Sequence, residues 1–322
     1  MTDLIEVFGE RFDRIASNVE TVIQGKRGTI ELVVMALVAE GHVLVEDVPG
    51  VGKTQLAKSL ARSIDGVFHR IQFTPDLLPA DVTGISIWDR DRREFQFKPG
   101  PIFANIVVGD EINRASPKTQ SALLEAMEER QVTSDGVTRA VPLPFIVLAT
   151  QNPLEHEGTY PLPEAQLDRF MMKVVIGYPD RQKELEMLET HGVRSTFHEL
   201  RPVVSLGEVG QMISIAQRIT VSQSVKNYIL DLVGATRAHP DVQLGASPRS
   251  ALFLQRLARA RAASQLRDFV MPDDVKVLAR PVLEHRLSLR PEARMRGMSV
   301  PDLVDAVVDS LTVPGTTSRV GT

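Results

Sequence analysis

The residues of this chain that could do chemistry begin at Asp47-Val48-Pro49-Gly50-Val51-Gly52-Lys53-Thr54. An apolar run, Val43 to Val45, leads into this turn, and an amphipathic run from Gln55 to Ile64 follows it. The layout suits a polyphosphate. Consecutive backbone N–H groups of such a turn form a concave nest, and the helix start behind it adds unpaired N–H groups and the positive end of its dipole. Pro49, Gly50, Val51, Gly52, Lys53, Thr54 and Gln55 would then cradle the phosphates. Lys53 would reach the β- and γ-phosphates, and the Thr54 hydroxyl would bind Mg²⁺. One residue departs from the strict G-x-x-x-x-G-K-[ST] pattern: Asp47 stands where its first glycine belongs. A carboxylate there would repel a triphosphate, so Asp47 is expected to end the strand and point away while Pro49-Gly50 starts the tight turn. A solvent turn with a chance Gly-Lys-Thr is the plain alternative.

A second stretch, Asn105-Ile106-Val107-Val108-Gly109-Asp110-Glu111, reads as a buried strand ending in two carboxylates. In parallel sheets, ligands bind at the C-terminal strand ends. Asp110 would hold Mg²⁺ through water, and Glu111 would orient and polarise the water that attacks the γ-phosphate. A third apolar run, Phe145 to Thr150, delivers Gln151-Asn152-Pro153. If it lies beside the strand of Asp110, Asn152 could hold the attacking water. An Asn-Pro turn without a catalytic role is the competing reading.

Positioning these groups requires a sheet. Strand-like runs occur at 43–46, 67–73, 106–109, 145–149 and 172–176, with helical patterns at 3–19, 27–40, 53–64 and 117–129. Strands alternating with helices predict an α/β core with a mostly parallel sheet buried on both faces. Residues 85–98 read as a hairpin, and residues 131–141 as a second one turning at Asp135-Gly136. Near Tyr178-Pro179-Asp180 the character changes. Helices are expected near 181–191, 206–217, 223–238, 249–264 and 273–285, with Asp180 capping the first and Ser222 the third. The expected organisation is a core over 1–179, a helical domain over 180–312 and a loose tail over 313–322.

Composition narrows the function classes. The chain has 322 residues, 43% hydrophobic and 24% charged, with a net charge of -4, which argues against a protein built mainly to grip nucleic acid. It has no cysteine, which excludes disulfides and thiolate metal sites. No apolar stretch is long enough to span a membrane, and the acidic start does not read as a signal peptide. A cytoplasmic protein is the simplest expectation. The histidines lack metal-ligand spacing, Trp88 reads as packing within the first hairpin, and the arginines of 256–261 read as a solvated helix face.

Taken together, the motifs resemble those of the AAA+ ATPases, and among them the MoxR family. The residues that carry the resemblance are Glu46 to Thr54, Gly109 to Ala115, Ala149 to Pro153, Tyr160-Pro161-Leu162-Pro163-Glu164-Ala165-Gln166-Leu167-Asp168-Arg169-Phe170, and Ala246-Ser247-Pro248-Arg249. The resemblance implies a P-loop AAA+ core with a five-stranded parallel sheet and a helical lid. ATP and Mg²⁺ are the implied cofactors, and a homo-oligomeric ring, as a hexamer, the implied assembly. It also implies that both hairpins face the pore or a substrate, and that Val22, Ile23 and Gly25 lie beside the adenine. Arg169 matches the arginine finger that completes a neighbour's site, and Arg249 the arginine that touches the γ-phosphate from the same chain. Arg114 could also face a neighbour. The implied activity is ATP-driven, chaperone-like remodelling or maturation of a client protein, one class of which carries a von Willebrand factor A domain. A nucleic-acid motor, a chelatase-type motor subunit and a nucleotide-gated scaffold are the competing functions.

Overall fold

The structure, a computed structural model, describes residues 2–48, 50–151, 159–179, 181, 182, 185 and 196–314. Pro49, Asn152 and Asp180 lie outside the described residues, as do most of the helix expected over 181–191 and the tail from residue 315.

In chain order the first part runs α1 (Thr2–Glu20), α2 (Arg27–Val38), β1 (Val43–Glu46), α3 (Lys53–Ser63), β2 (Phe68–Gln72), α4 (Pro79–Thr83), a hairpin of β3 (Gly84–Asp89) and β4 (Glu94–Pro99), β5 (Ile106–Asp110) and α5 (Pro117–Glu129). A second hairpin of β6 (Gln131–Ser134) and β7 (Val137–Ala140) follows, then β8 (Ile146–Gln151), α6 (Glu164–Leu167) and β9 (Met172–Val174). Beyond residue 200 the chain is mainly helical: α7 (Leu206–Arg218), α8 (Gln223–Ala238), α9 (Pro248–Ser264), α10 (Pro272–Leu283), α11 (Pro291–Met295) and α12 (Val300–Ser310). Two short strands, β10 (Val242–Leu244) and β11 (Ser288–Leu289), pair antiparallel between them.

β2, β5, β8, β1 and β9 form one parallel sheet in that order. Every residue of β5 is buried, as are the first five of β8, as a strand covered on both faces requires. The pleat sorts them: Val43, Val45, Ile106 and Val108 face the helical side, while Leu44, Val107 and Val147 face α5 and Phe73. Gly109 is needed at its place, because a Cβ there would lie 3.0 Å from the Phe73 ring. β2 is an edge strand with outward polar side chains, and this is what brings Arg70 and Gln72 to the cleft described below.

The helical part is locally well specified. Ser205 and Glu208 form a capping box on α7, and Ser222 caps α8 by accepting the Val225 N–H at 3.3 Å. The arginines of α9 depart from the solvated face expected of them. Arg256 donates to the Glu40 carbonyl at 3.2 Å, and Arg261 lies 3.4 Å from the buried carboxylate of Asp274. They fasten α9 down because acceptors sit beneath it, which sequence periodicity does not reveal. In the first hairpin Trp88 packs edge-on to Phe95, with ring centroids 5.1 Å apart, and both stay exposed.

His42 stitches the base of the sheet. Its Nε2 meets the Met127 carbonyl at 2.9 Å, and its Nδ1 accepts the Val147 N–H at 3.0 Å. Both nitrogens are therefore used by the neutral ring, and burial lowers its pKa to about 4. The unfolded chain takes up this proton near pH 6.5, whereas the folded chain resists it. The stabilisation is complete above about pH 6.5 and is lost as pH falls toward 4, a difference of about 3 kcal/mol. His285, buried against Arg286, is depressed in the same direction. Chemical denaturation at about pH 5 should therefore give a lower midpoint than at about pH 7.5. The His42→Gln variant should be less stable at neutral pH and show a flatter pH dependence.

Candidate active site

The phosphate loop joins β1 to α3, and its glycines take the backbone angles that only glycine adopts readily: φ is +88° at Gly50 and +94° at Gly52. Gly50 faces open space. Asp47 is nearly buried and turns away from the loop. Its Oδ1 accepts the Val48 N–H at 2.8 Å, and its Oδ2 accepts those of Ile176 and Gly177 at 2.7 and 2.6 Å. The charge that looked awkward in the motif is spent on the segment after β9. Lys53 donates to the Asp47 carbonyl at 2.7 Å. Burial lowers its pKa, opposed by the carboxylates of Asp47, Asp110 and Glu111.

Across the cleft, β5 ends at Asp110. Thr150 at the end of β8 donates to Asp110 Oδ1 at 2.9 Å, and its hydroxyl accepts the Glu111 N–H at 3.0 Å. Arg70 from β2 donates to Asp110 Oδ2 at 2.7 Å. Glu111 takes a left-handed backbone, φ 57° and ψ 49°, unusual for a residue with a side chain. Its Oε2 accepts from Gln72 at 3.0 Å and from Arg114 at 3.1 Å. Gly50, Gly52, Lys53, Thr54, Gln55, Asp110 and Glu111 thus line one cleft of ≈ 330 Å³, together with Arg70, Gln72 and Thr150. Arg70 and Gln72 carried no motif signal, and Thr150, though inside the Ala149 to Pro153 motif, was given no role of its own. Arg70 and Gln72 alternate on a short strand whose neighbour is decided by sheet order, not by sequence distance.

The cleft suits a nucleotide with Mg²⁺. It offers a glycine cradle, a lysine and hard oxygen donors in Thr54 and Asp110. Among the described residues no cluster of three or more His, Cys, Asp or Glu could hold a metal by itself. Mg²⁺ takes one or two protein oxygens and completes its shell with phosphate and water. Asp110 already has both oxygens engaged, consistent with contact through water. Val22 and Ile23 are buried in the core, Gly25 has φ +69°, and Ile23 Cδ1 lies 3.5 Å from where a Cβ on Gly52 would be. That segment therefore borders the loop.

Arg169 and Arg249 are elsewhere. Arg169 Nε lies 3.1 Å from Glu128 Oε2, and Arg249 pairs with Glu128 Oε1. Glu128 stands near the far end of α5, roughly 16 Å along that helix from its start beside β5. The same-chain contact implied for Arg249 is thus not what the structure has. Arg249 joins Arg169 because Ser247, just before it, is hydrogen-bonded to Asp168, just before Arg169. Arg114 stays within its own chain, on Glu111.

The profile described as the ATPase family associated with various cellular activities (AAA) matches residues 42–172, and the AAA lid domain profile matches residues 234–307. The chain is 49% identical to the uncharacterized protein YeaC of Bacillus subtilis (strain 168), covering 94% of each. It is 41% identical to Chaperone MoxR1 of Mycobacterium tuberculosis, over 94% of this chain and 82% of that one. The crystal structure of a candidate ATPase from Cytophaga hutchinsonii ATCC 33406 superposes with a TM-score of 0.90 at 38% identity, over 97% of both chains. Among the described residues no helix is long and apolar enough to cross a membrane.

Asp47→Gly would restore the strict loop motif, yet it should destabilise the fold by about 2 kcal/mol, because one buried and two part-buried N–H groups lose their acceptor. Urea denaturation measures this. Thr150→Val keeps the volume but removes both hydroxyl contacts to Asp110 and Glu111. It should lower ATP turnover by about 10-fold or more in a phosphate-release assay, with nucleotide binding retained.

Proposed function

Because this chain belongs to the MoxR family of AAA+ ATPases, we propose that it hydrolyses ATP with Mg²⁺ as a ring whose clefts are each completed by arginines of the next subunit. The observation that carries this reading is the meeting of Lys53, Thr54, Asp110 and Glu111 in one cleft while Arg169 and Arg249 stand together outside it.

The proposed roles are these. Backbone N–H groups of the loop and the start of α3 hold the phosphates, and Lys53 moves its ammonium from the Asp47 carbonyl to phosphate oxygen. Thr54 and Asp110 would hold Mg²⁺, which would supply charge neutralisation at the phosphates. Glu111 orients the attacking water. Gln72 and Arg114 both donate to its Oε2, which leaves Oε1 to accept the water proton. Asn152, next in sequence after β8, is proposed to hold that water as well. Charge gathers on the γ-phosphoryl oxygens in the transition state. A guanidinium fork stabilises it, and one arriving from another chain makes turnover depend on assembly. Arg169 and Arg249 share a single carboxylate in this chain, so their pole keeps a net positive charge to offer a neighbour.

Hydrolysis would then drive chaperone-like remodelling of a client protein, in line with the description of the Mycobacterium tuberculosis relative as a chaperone. The exposed hairpin residues Ile85, Ile87 and Phe95 offer an apolar contact for it. A client with a von Willebrand factor A domain and a hexameric ring belong to the same proposal.

Glu111→Gln should retain ATP binding and reduce turnover by about 100-fold or more. Unchanged turnover would remove Glu111 from the mechanism. Specific activity of the unmodified chain should rise with protein concentration, and Arg169→Ala should abolish that rise. Affinity capture with Glu111→Gln chains held with ATP should retain the client more strongly than with ADP.

A further inference from the structure

We propose that Arg286 is a positioning residue for catalysis in the neighbouring subunit: it clamps the segment 168–171 to the lid, so that Arg169 and Arg249 are delivered as one unit. This rests on the reading that Arg169 acts on the next subunit's cleft.

An arginine buried to this degree, 5% exposed, is costly unless its donors are matched. Arg286 matches them almost entirely on the segment that carries Arg169. Its Nε donates to Asp168 Oδ1 at 3.0 Å, its Nη2 to the carbonyls of Asp168 at 3.3 Å and of Phe170, and its Nη1 to the Met171 carbonyl at 3.3 Å. A further bond runs from Nη1 to the Val282 carbonyl at the end of α10. The guanidinium also lies 5.1 Å from the Phe253 ring centroid on α9. Burial lowers its pKa to about 10, opposed by Asp168, so it stays charged at neutral pH. Only a planar fork with divergent donors can serve such a set, and lysine cannot replace it.

The second half of the clamp is Ser247. It occupies the N-cap position of α9, but its side chain makes no cap hydrogen bond to that helix. Its hydroxyl instead donates to Asp168 Oδ1 and Oδ2, each at 2.9 Å. Helix α9 forgoes a stabilising side-chain cap, and its first turn, with Arg249, is tied to Asp168 instead. Glu128 then joins the two arginine tips from the opposite side. The pair is held at its base by Asp168 and Arg286 and at its tips by one carboxylate. A neighbour's phosphate need only displace Glu128 to meet both guanidinium groups in fixed register.

Mixed assemblies test this, because they separate what a subunit hydrolyses from what it delivers. Arg169→Ala chains keep an intact cleft, and Glu111→Gln chains keep intact arginines. Mixing them should restore ATP turnover at mixed contacts. If it does not, the action of Arg169 across subunits is wrong, and the present proposal falls with it. With that rescue established, Glu111→Gln/Arg286→Lys donors should rescue Arg169→Ala chains about 100-fold less well. In the converse mixture, Arg286→Lys chains should regain turnover when Glu111→Gln chains supply the arginines. Equal rescue by both donors, or failure of Arg286→Lys chains in both positions, would overturn the proposal, the latter by assigning Arg286 a general role in lid docking. Should Arg286→Lys chains not fold, Glu111→Gln/Ser247→Ala donors carry the test. They should rescue about 10-fold less well than Glu111→Gln donors, and undiminished rescue would overturn it.

Discussion

The phosphate loop keeps its shape through one buried carboxylate. Asp47 gathers the N–H groups of Val48, Ile176 and Gly177, and its own carbonyl takes the Lys53 ammonium. A carboxylate out of water is tolerable when amide donors surround it and costly when they do not. Asp47 therefore ties the end of β1 to the segment after β9, where the chain leaves the sheet for the lid. Lys26 adds a tie on the same segment, donating to the Tyr178 carbonyl at 2.8 Å. Loop, lysine and exit segment are thus one mechanical unit.

The sheet gives the molecule two chemically distinct ends. At the C-terminal ends of β1, β5 and β8 lie the cradle, Asp110, Glu111 and Thr150. At the base, near His42, lie Glu128 and the two arginines. Between them Lys173 on β9 sits 2.6 Å from Glu46 and 2.7 Å from Glu284. Burial opposes its charge, but hydrogen bonds to the two glutamates raise its pKa. Glu284 and Arg286 share one helical turn, so a single turn of the lid meets β9 at Lys173, which itself pairs with Glu46 at the end of β1, and meets the segment carrying Arg169. A chain built this way has its cleft and its arginines at different ends of the sheet, as the proposed ring requires.

Much of this was legible in the chain itself. Lys53-Thr54 after a glycine turn, and Asp110-Glu111 after four apolar residues, name their chemistry because phosphate and Mg²⁺ demand those groups in local order. The strands were legible because burial on both faces leaves unbroken apolar runs. Arg70 and Gln72 were not, since an exposed edge strand has no distinctive pattern. The anchoring of α9 by Arg256 and Arg261 was missed for a related reason: a charged residue's periodicity does not say whether an acceptor lies beneath it.

The sequence alone determined the parallel-sheet core and the family, and it named the groups proposed for phosphate, metal and water, because each rests on contiguous residues whose local geometry follows from the chain. Only the tertiary structure decided where Asp47 spends its charge, which strand supplies the partners of Asp110, and where Arg249 belongs. Those depend on residues some 80 to 130 positions apart along the chain, or on strand order. Arg249 makes the point most sharply. Its motif named a γ-phosphate contact, but the bond between Ser247 and Asp168 moves it to the pole of Arg169, and no local pattern encodes that bond.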